Sequence, residues 1–384
     1  MRILDRERYW AFFKAYLICY TALVGLYVVI DAFSNVDEFA KRADGAREMF
    51  QVMGRFYLIH MSEFYDRLCG VISIMAAIFT VTWMQKNNEL LAMLAAGVST
   101  HRVIRPVLVS AVVVSGFAFA NQEIVMPKYA QELQKTHDDD GTRKVRVFGR
   151  LDGNGVYLHG NEADRKTLTV LGFNATFPVE VFGTIRELEA LQARYIPEED
   201  VKSPLRGGWL LRGARMNHPF EDGEAQNVLV KLEDDRGFPP AAEEIPNLGR
   251  ETYFLRTGIN FQAVTRNRQW YQYAPTIDLI KGLADPANDG EKTDIAVFLH
   301  GRLLRPLLGL ALLGVTLPLV LGGYGKNMFV NLGLSLATSA VFYAAVFVSQ
   351  YLGSHAILTP EMAGWSPLIG FGTFAAARWS AIRT

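Results

Sequence analysis

Cysteine is almost absent: the 384 residues hold two, Cys19 and Cys69, both inside apolar runs. That leaves neither a disulfide framework nor a cysteine zinc site. No HExxH, GxSxG or CxxC string occurs, so the common hydrolase, metalloprotease and redox signatures are missing too. The nearest approach to a phosphate loop, Gly322-Gly323-Tyr324-Gly325-Lys326-Asn327, lacks the glycine four residues earlier and the Ser/Thr after lysine, and reads as a turn. Net charge is +0, which gives no electrostatic footprint for nucleic acid. His137-Asp138-Asp139-Asp140 reads as a solvated charge run rather than a metal site. Nothing here calls for a metal or cofactor, and no catalytic constellation marks an enzyme.

What is present is apolar. Half the residues are hydrophobic and mean hydropathy is +0.11, yet 20% are charged, so the two kinds must be segregated along the chain. Six apolar segments can be marked: 11–33, 68–84, 107–121, 306–325, 328–351 and 362–377. The first is wholly uncharged over 15–30 and the other five throughout; one Lys or Arg at a helix centre costs ~2.5–3.5 kcal/mol on insertion scales, so these runs read as membrane spans. No small-residue cleavage site follows the first, which argues against a cleavable signal. The fold class is therefore an α-helical integral membrane protein with six transmembrane helices, grouped three and three. Arg2, Arg6, Arg8, Lys14, Lys86, Arg102, Arg105, Lys326, Arg378 and Arg383 place the termini and the 2–3 and 4–5 turns in the cytoplasm. Lys41, Arg42, Arg47 and Arg55 in the 1–2 connection pull the other way.

The stretch Asn87 to Ser99 between helices two and three reads as a small capped helix spanning 88–97. Asn88 is placed as N-cap, Glu89 at the positive end of the helix dipole and Gly97 as the C-terminal stop. Leu90, Met93 and Leu94 share one face. That ridge suits either a partner's groove or the lipid surface.

A long insertion, residues 127–302, separates helices 1–126 from helices 303–384 and falls outside the cytoplasm. Its pattern is β. In the run 253–263, Tyr253, Leu255, Thr257, Ile259 and Phe261 point one way, while Arg256, Gly258, Asn260 and Gln262 point the other, with Phe254 the exception. Val228, Val230 and Leu232 alternate similarly. Shorter runs at 145–150, 155–160, 167–177, 187–195 and 208–216 are separated by turn-prone stretches. A sandwich or jelly roll is expected, followed by a short helix at 276–283 and a polar linker at 285–292.

Helix five carries Gly333, Ala337, Ala340 and Ala344 on one face, a small-residue ridge for ordinary bundle packing or for a movable seam. Lys41, Arg42, Arg302 and Arg305 are expected near the outer membrane surface, meeting lipid phosphates or snorkelling to the head groups.

The order of three helices, an external β domain and three more helices resembles the LptF/LptG (YjgP/YjgQ) lipopolysaccharide-export permease family over essentially the whole chain. The sharpest matches are Ile3-Leu4-Asp5-Arg6, Asn88 through Met93 with Ala95-Ala96-Gly97-Val98-Ser99, and Pro127. Arg302, Arg305-Pro306-Leu307, Pro360, Trp365 and Pro367 follow the same order. Leu94 departs from a place often polar in the family, and Ser34 stands where some members carry lysine. The long uncharged fifth segment leans towards the LptG-like member.

The resemblance implies a permease subunit of an ABC-type exporter in the inner membrane. It would pair with a paralogous permease, and lipopolysaccharide or a related glycolipid would enter between helices one and five, near Tyr27 and the Gly333–Ala344 ridge. A cytoplasmic LptB-like ATPase dimer would dock on Glu89, Leu90, Met93, Leu94 and Gly97. A periplasmic jelly roll lined by Tyr253, Leu255, Ile259 and Phe261 would pass the lipid to an LptC/LptA-like bridge. The other reading is a membrane-anchored sensor or scaffold with an external ligand-binding β domain.

Overall fold

The computed structural model describes residues 3–41, 45–134, 144–198, 205–217, 228–232, 251–266, 269–321 and 328–380. Arg42, the His137–Asp140 run and the Gly322–Asn327 turn lie outside these residues. The chain divides into two compact units. One comprises Met1–Asp138, Tyr271–Leu279 and Thr293–Thr384, the other Asp139–Trp270 and Ile280–Lys292.

The first unit is helical. Helix α1 (Ile3–Ser34) turns through α2 (Val36–Ala40) into α3 (Ala46–Lys86), whose 41 residues would extend about 60 Å, twice a bilayer core. The sequence shows only the second half of α3 as apolar. Its first half carries no proline, and half of residues 46–65 are the good helix formers Ala, Arg, Glu, Met, Gln and Leu. Phe39 of α2 is fully enclosed against Phe56 and Tyr57 of α3, which fixes the reversal. Then come α4 (Glu89–Ala95), α5 (Thr100–Ala120), a π-helical segment (Asn121–Val125), α6 (Met126–Lys128) and α7 (Ala130–Leu133).

After the insertion, α11 (Lys292–Leu321), α12 (Met328–Ser354) and α13 (Pro360–Ser380) complete the unit. Among the described residues five helices are long and apolar enough to cross a membrane; α13, where a sixth crossing is expected, is helical over 21 residues but is not among them. The main core joins Phe12 of α1, Ile74 to Met84 of α3, Leu90 of α4, Val103 to Val114 of α5, Leu304 to Leu321 of α11 and Phe342 of α12.

The second unit is one antiparallel sheet with strand order β1-β4-β5-β6-β7-β9-β8, β2 and β3 lying off that path. The strands are β1 (Val145–Arg146), β2 (Arg150–Leu151), β3 (Tyr157–His159), β4 (Glu162–Asp164) and β5 (Thr169–Phe177). After the short helix α8 (Val179–Phe182) come β6 (Arg186–Ile196), β7 (Gly208–Met216), β8 (Leu229–Leu232) and β9 (Thr252–Arg256).

Strands β3 and β4 share one register along β5, pairing Tyr157 with Thr176 and Glu162 with Leu171. Opposite their junction, Gly172 takes φ +62°, and a Cβ there would fall on the Asn161 amide, so only glycine fits. Among the described residues every ladder continues into the next, giving one nine-stranded antiparallel sheet. Helix α9 (Phe261–Thr265) covers the core, with Phe261 and Val264 packed beside Trp209, Phe173 and Leu255. The expected strand to residue 263 therefore stops at Arg256. Asn260 accepts from Ala263 N at 2.8 Å and starts α9, and this local capping overrides the alternation. Buried Arg150 pairs with Glu291 at 3.1 Å and so anchors the 3-10 turn Pro286–Glu291 to the sheet.

Candidate functional site

Helix α3 carries Glu63, Asp66 and Arg67 one turn apart, just before its uncharged run. These residues would be costly in lipid unless paired. The π-helical segment supplies the next layer. A π turn shifts the helical register by one residue, so Asn121 Nδ2 reaches Ser62 O at 2.8 Å, Gln122 is buried, and Glu123 turns towards α11. From α11 come Arg302 and Arg305, three residues apart. The segment 271–279, which includes the start of α10 (Thr276–Ala284), adds Tyr273 and Thr276.

The pairs interlock. Arg305 Nη1 donates to Asp66 Oδ1 at 2.7 Å, and its Nη2 also reaches the Asp66 carbonyl. Arg302 Nη1 lies 3.3 Å from Glu123 Oε1 and 2.8 Å from Ala274 O. Thr276 N donates to Glu123 Oε2 at 2.9 Å, while its hydroxyl donates to Oε1 of the same carboxylate. Glu63 accepts from Arg67 and, at 3.0 Å, from Tyr273. Burial, then Glu63, raises the Tyr273 hydroxyl to about 12, so it remains a donor. A cavity of about 330 Å³ opens among α3, α5, α11 and α12, lined by Asp66, Arg67, Gln122, Arg302, Arg305 and Tyr343 with apolar neighbours.

Arg302 and Arg305 thus sit inside the bundle with acidic partners, rather than as free cations at a lipid surface. Lys41 is exposed at the end of α2. Sequence reasoning passed over Asp66, Glu123, Glu63 and Tyr273. The available signal was acidic residues at the edges of charge-free runs, facing two arginines that open another span.

In α4 the shared face is real but inward. Leu90 is 2% exposed in the bundle core, and Met93 and Leu94 pack against that core. Arg8 Nη2 from α1 also contacts Met93 Sδ. The outward residues are Glu89, Leu91, Ala92, Ala95 and Ala96, with Leu91 56% exposed. Spacing identifies a ridge but cannot say which side of the helix holds the protein's own core. Asn88 does not cap: its side chain makes no cap hydrogen bond and its φ is +56°, a left-handed position that asparagine tolerates. Gly97, at φ +79°, closes the helix, with Val98 N donating to Met93 O and Gly97 N to Leu94 O, each at 3.0 Å.

Gly333, Ala337, Ala340 and Ala344 lie on the exposed side of α12, and Ser335, Ser339 and Phe342 on its buried side. Tyr27 is half-exposed, its ring 4.3 Å from that of Phe64. Helix α1 packs on α3 and α5, whereas α12 packs on α3 and α13. Within one chain, α1 and α12 therefore present separate outer faces. In the sheet unit, Tyr253, Leu255, Ile259 and Phe261 are all buried in the closed core. Trp209 Nε1 donates to Ile259 O at 2.9 Å across it. Among the described residues no group of three His, Cys, Asp or Glu could hold a metal ion.

Compared with known proteins, the chain matches the family model described as lipopolysaccharide export system permease LptF/LptG over residues 8–381. No curated protein matches it.

Proposed function

The chain belongs to the LptF/LptG family of lipopolysaccharide export permeases, and on that premise we propose that it is one of two permease subunits in an ATP-driven exporter of the inner membrane. The observation that carries this reading is the division of the bundle into paired inner helices and free outer ones. Helix α12 holds no charged residue and turns Gly333, Ala337, Ala340 and Ala344 outward, while α1 turns out Ile18, Leu26 and Ile30. Small residues let a second bundle approach closely, and large apolar ones suit acyl chains. The lipid path then runs between α1 of one subunit and α12 of the other, with Tyr27 at its edge and Lys41 and Arg42 near the head group.

ATP hydrolysis comes from a cytoplasmic ATPase pair seated on the exposed side of α4, where Glu89, Leu91, Ala92 and Ala95 make the contact and Gly97 fixes the helix end. The buried Leu90, Met93 and Leu94 carry its movement into the bundle core. The β unit, on the periplasmic side, hands the lipid to a periplasmic β bridge. Each exposed methylene costs ~0.8 kcal/mol, so the acyl chains need shelter in transit. Shelter by Tyr253, Leu255, Ile259 and Phe261 requires their core to part.

Affinity purification in mild detergent tests the assignment. The ATPase, a second permease and lipopolysaccharide or a related glycolipid should co-purify. A chain recovered with none of them would leave the sensor or scaffold reading.

A further inference from the structure

Arg302 is completely enclosed, its side chain 0% exposed, yet one nitrogen makes all its polar contacts. Nη1 serves Glu123, Ala274 O and Thr276 Oγ1. Nε and Nη2 are buried with no partner. Those two atoms form the side-on edge of the guanidinium, where parallel N–H bonds match two oxygens of one oxyanion. The acidic partner already occupies the far end of the group, so the protein supplies nothing for this edge.

The same residue lines the 330 Å³ cavity, whose wall carries three guanidinium groups, from Arg67, Arg302 and Arg305, and the carboxylate of Asp66, while Glu63 and Glu123, which pair with Arg67 and Arg302, do not line it. Gln122, Tyr343 and Gln350 add neutral hydrogen-bonding groups, and Phe119, Leu308 and Phe342 an apolar flank.

The geometry points to a binding site for a phosphate group inside the bundle of a single chain, with the Nε–Nη2 edge of Arg302 as its bidentate donor. Phosphate suits this wall better than carboxylate, since its third oxygen is left for Arg67 or Arg305. The apolar flank accommodates the glycerol and first methylenes of a lipid. The site is separate from the path proposed between two permease subunits and does not depend on which lipid is exported.

The test uses the full chain, purified and delipidated in detergent, with three probes: phosphatidic acid, diacylglycerol of the same chains, and sodium phosphate. Native mass and thermal midpoint are read for each. Phosphatidic acid should bind and raise the midpoint, with diacylglycerol at least about tenfold weaker. Sodium phosphate raising the midpoint alone would support the site and assign its ligand to solution.

Two variants should remove the effect. Arg302→Gln deletes the edge. Gly309→Leu fills the cavity from a lining position where a Cβ meets nothing within 4 Å, leaving the ion pairs intact. Equal binding of phosphatidic acid and diacylglycerol, no response to either phosphate probe, or unchanged binding in a folded Gly309→Leu protein would overturn the proposal.

Discussion

Helices α3 and α11 differ from α1 and α12 in what they bury. The most apolar stretch of each inner helix is 61% buried, against 11% for α1 and 24% for α12. The inner pair carries Glu63, Asp66, Arg67, Arg302 and Arg305, whereas α12 carries no charge. In lipid, apolar surface gains little by packing, because acyl chains are as apolar as leucine. Ion pairs therefore lock the inner pair together, while hydrogen bonds tie α1 to α3 (Tyr57 to Asp31) and α12 to α13 (Ser349 to Ala363 O). The opposite faces of α1 and α12 stay free for lipid or a second subunit. The contrast recurs within one turn of α4, where Leu90 is enclosed and Leu91 is not.

That contrast can be broken by substitution. Leu90→Ala should cost about 2–5 kcal/mol in thermal unfolding of the detergent-solubilised chain, whereas Leu91→Ala should stay within about 0.5 kcal/mol. Equal costs would show that α4 has no inner side. Leu91→Asp should in turn keep the fold and lose the ATPase in a pull-down.

Next in size, Arg305→Ala leaves the buried Asp66 carboxylate unpaired and should cost roughly 3 kcal/mol, at the low end for such pairs because Arg305 is only half-buried. Replacing both residues with leucine should recover most of that loss. An additive double variant would mean the pair does not hold α3 to α11.

Tyr273→Phe removes one bond to Glu63, which keeps Arg67, so about 1 kcal/mol is expected. The hydroxyl's raised value adds a pH signature. Its contribution is complete below the ordinary tyrosine value and declines as pH rises towards about 12, and the phenylalanine variant should lack that decline.

The smallest effect belongs to the sheet unit. Hydrogen bonds from Lys231 and then Tyr253 hold the Glu251 carboxyl below its ordinary value. Its stabilisation is present above the ordinary glutamate range and lost as pH falls through the lowered value. Glu251→Gln should flatten that acid limb of the unfolding curve without moving the neutral midpoint by more than about 0.5 kcal/mol.

Much of this fold was legible as pattern. The charge-free runs located the helices, and a strand-like run between turn-prone stretches placed β7 at Gly208–Met216 to the residue. Gly97 was legible because a left-handed stop admits little else. What the pattern lacked was direction. The spacing of Leu90, Met93 and Leu94 is the same whether they face a partner or the protein's own core. The strand ends at Arg256, and a capping asparagine at 260 starts a helix where alternation would have continued the strand. The ion pairs were hidden for another reason: Asp66 and Arg305 are 239 residues apart, and only tertiary packing joins them.

The most direct test of the inner–outer division is a photo-crosslinker scan in the assembled, actively exporting membrane. Probes at Ile18 and Leu26 of α1 and at Val341 and Phe347 of α12 should capture the exported lipid or the second permease. Probes at Ile78 of α3 and Leu312 of α11, both enclosed in the core, should capture neither. Capture at Ile78 and Leu312 as strong as at the outer sites would contradict the account, because the lipid path would then run through the bundle rather than along its free faces.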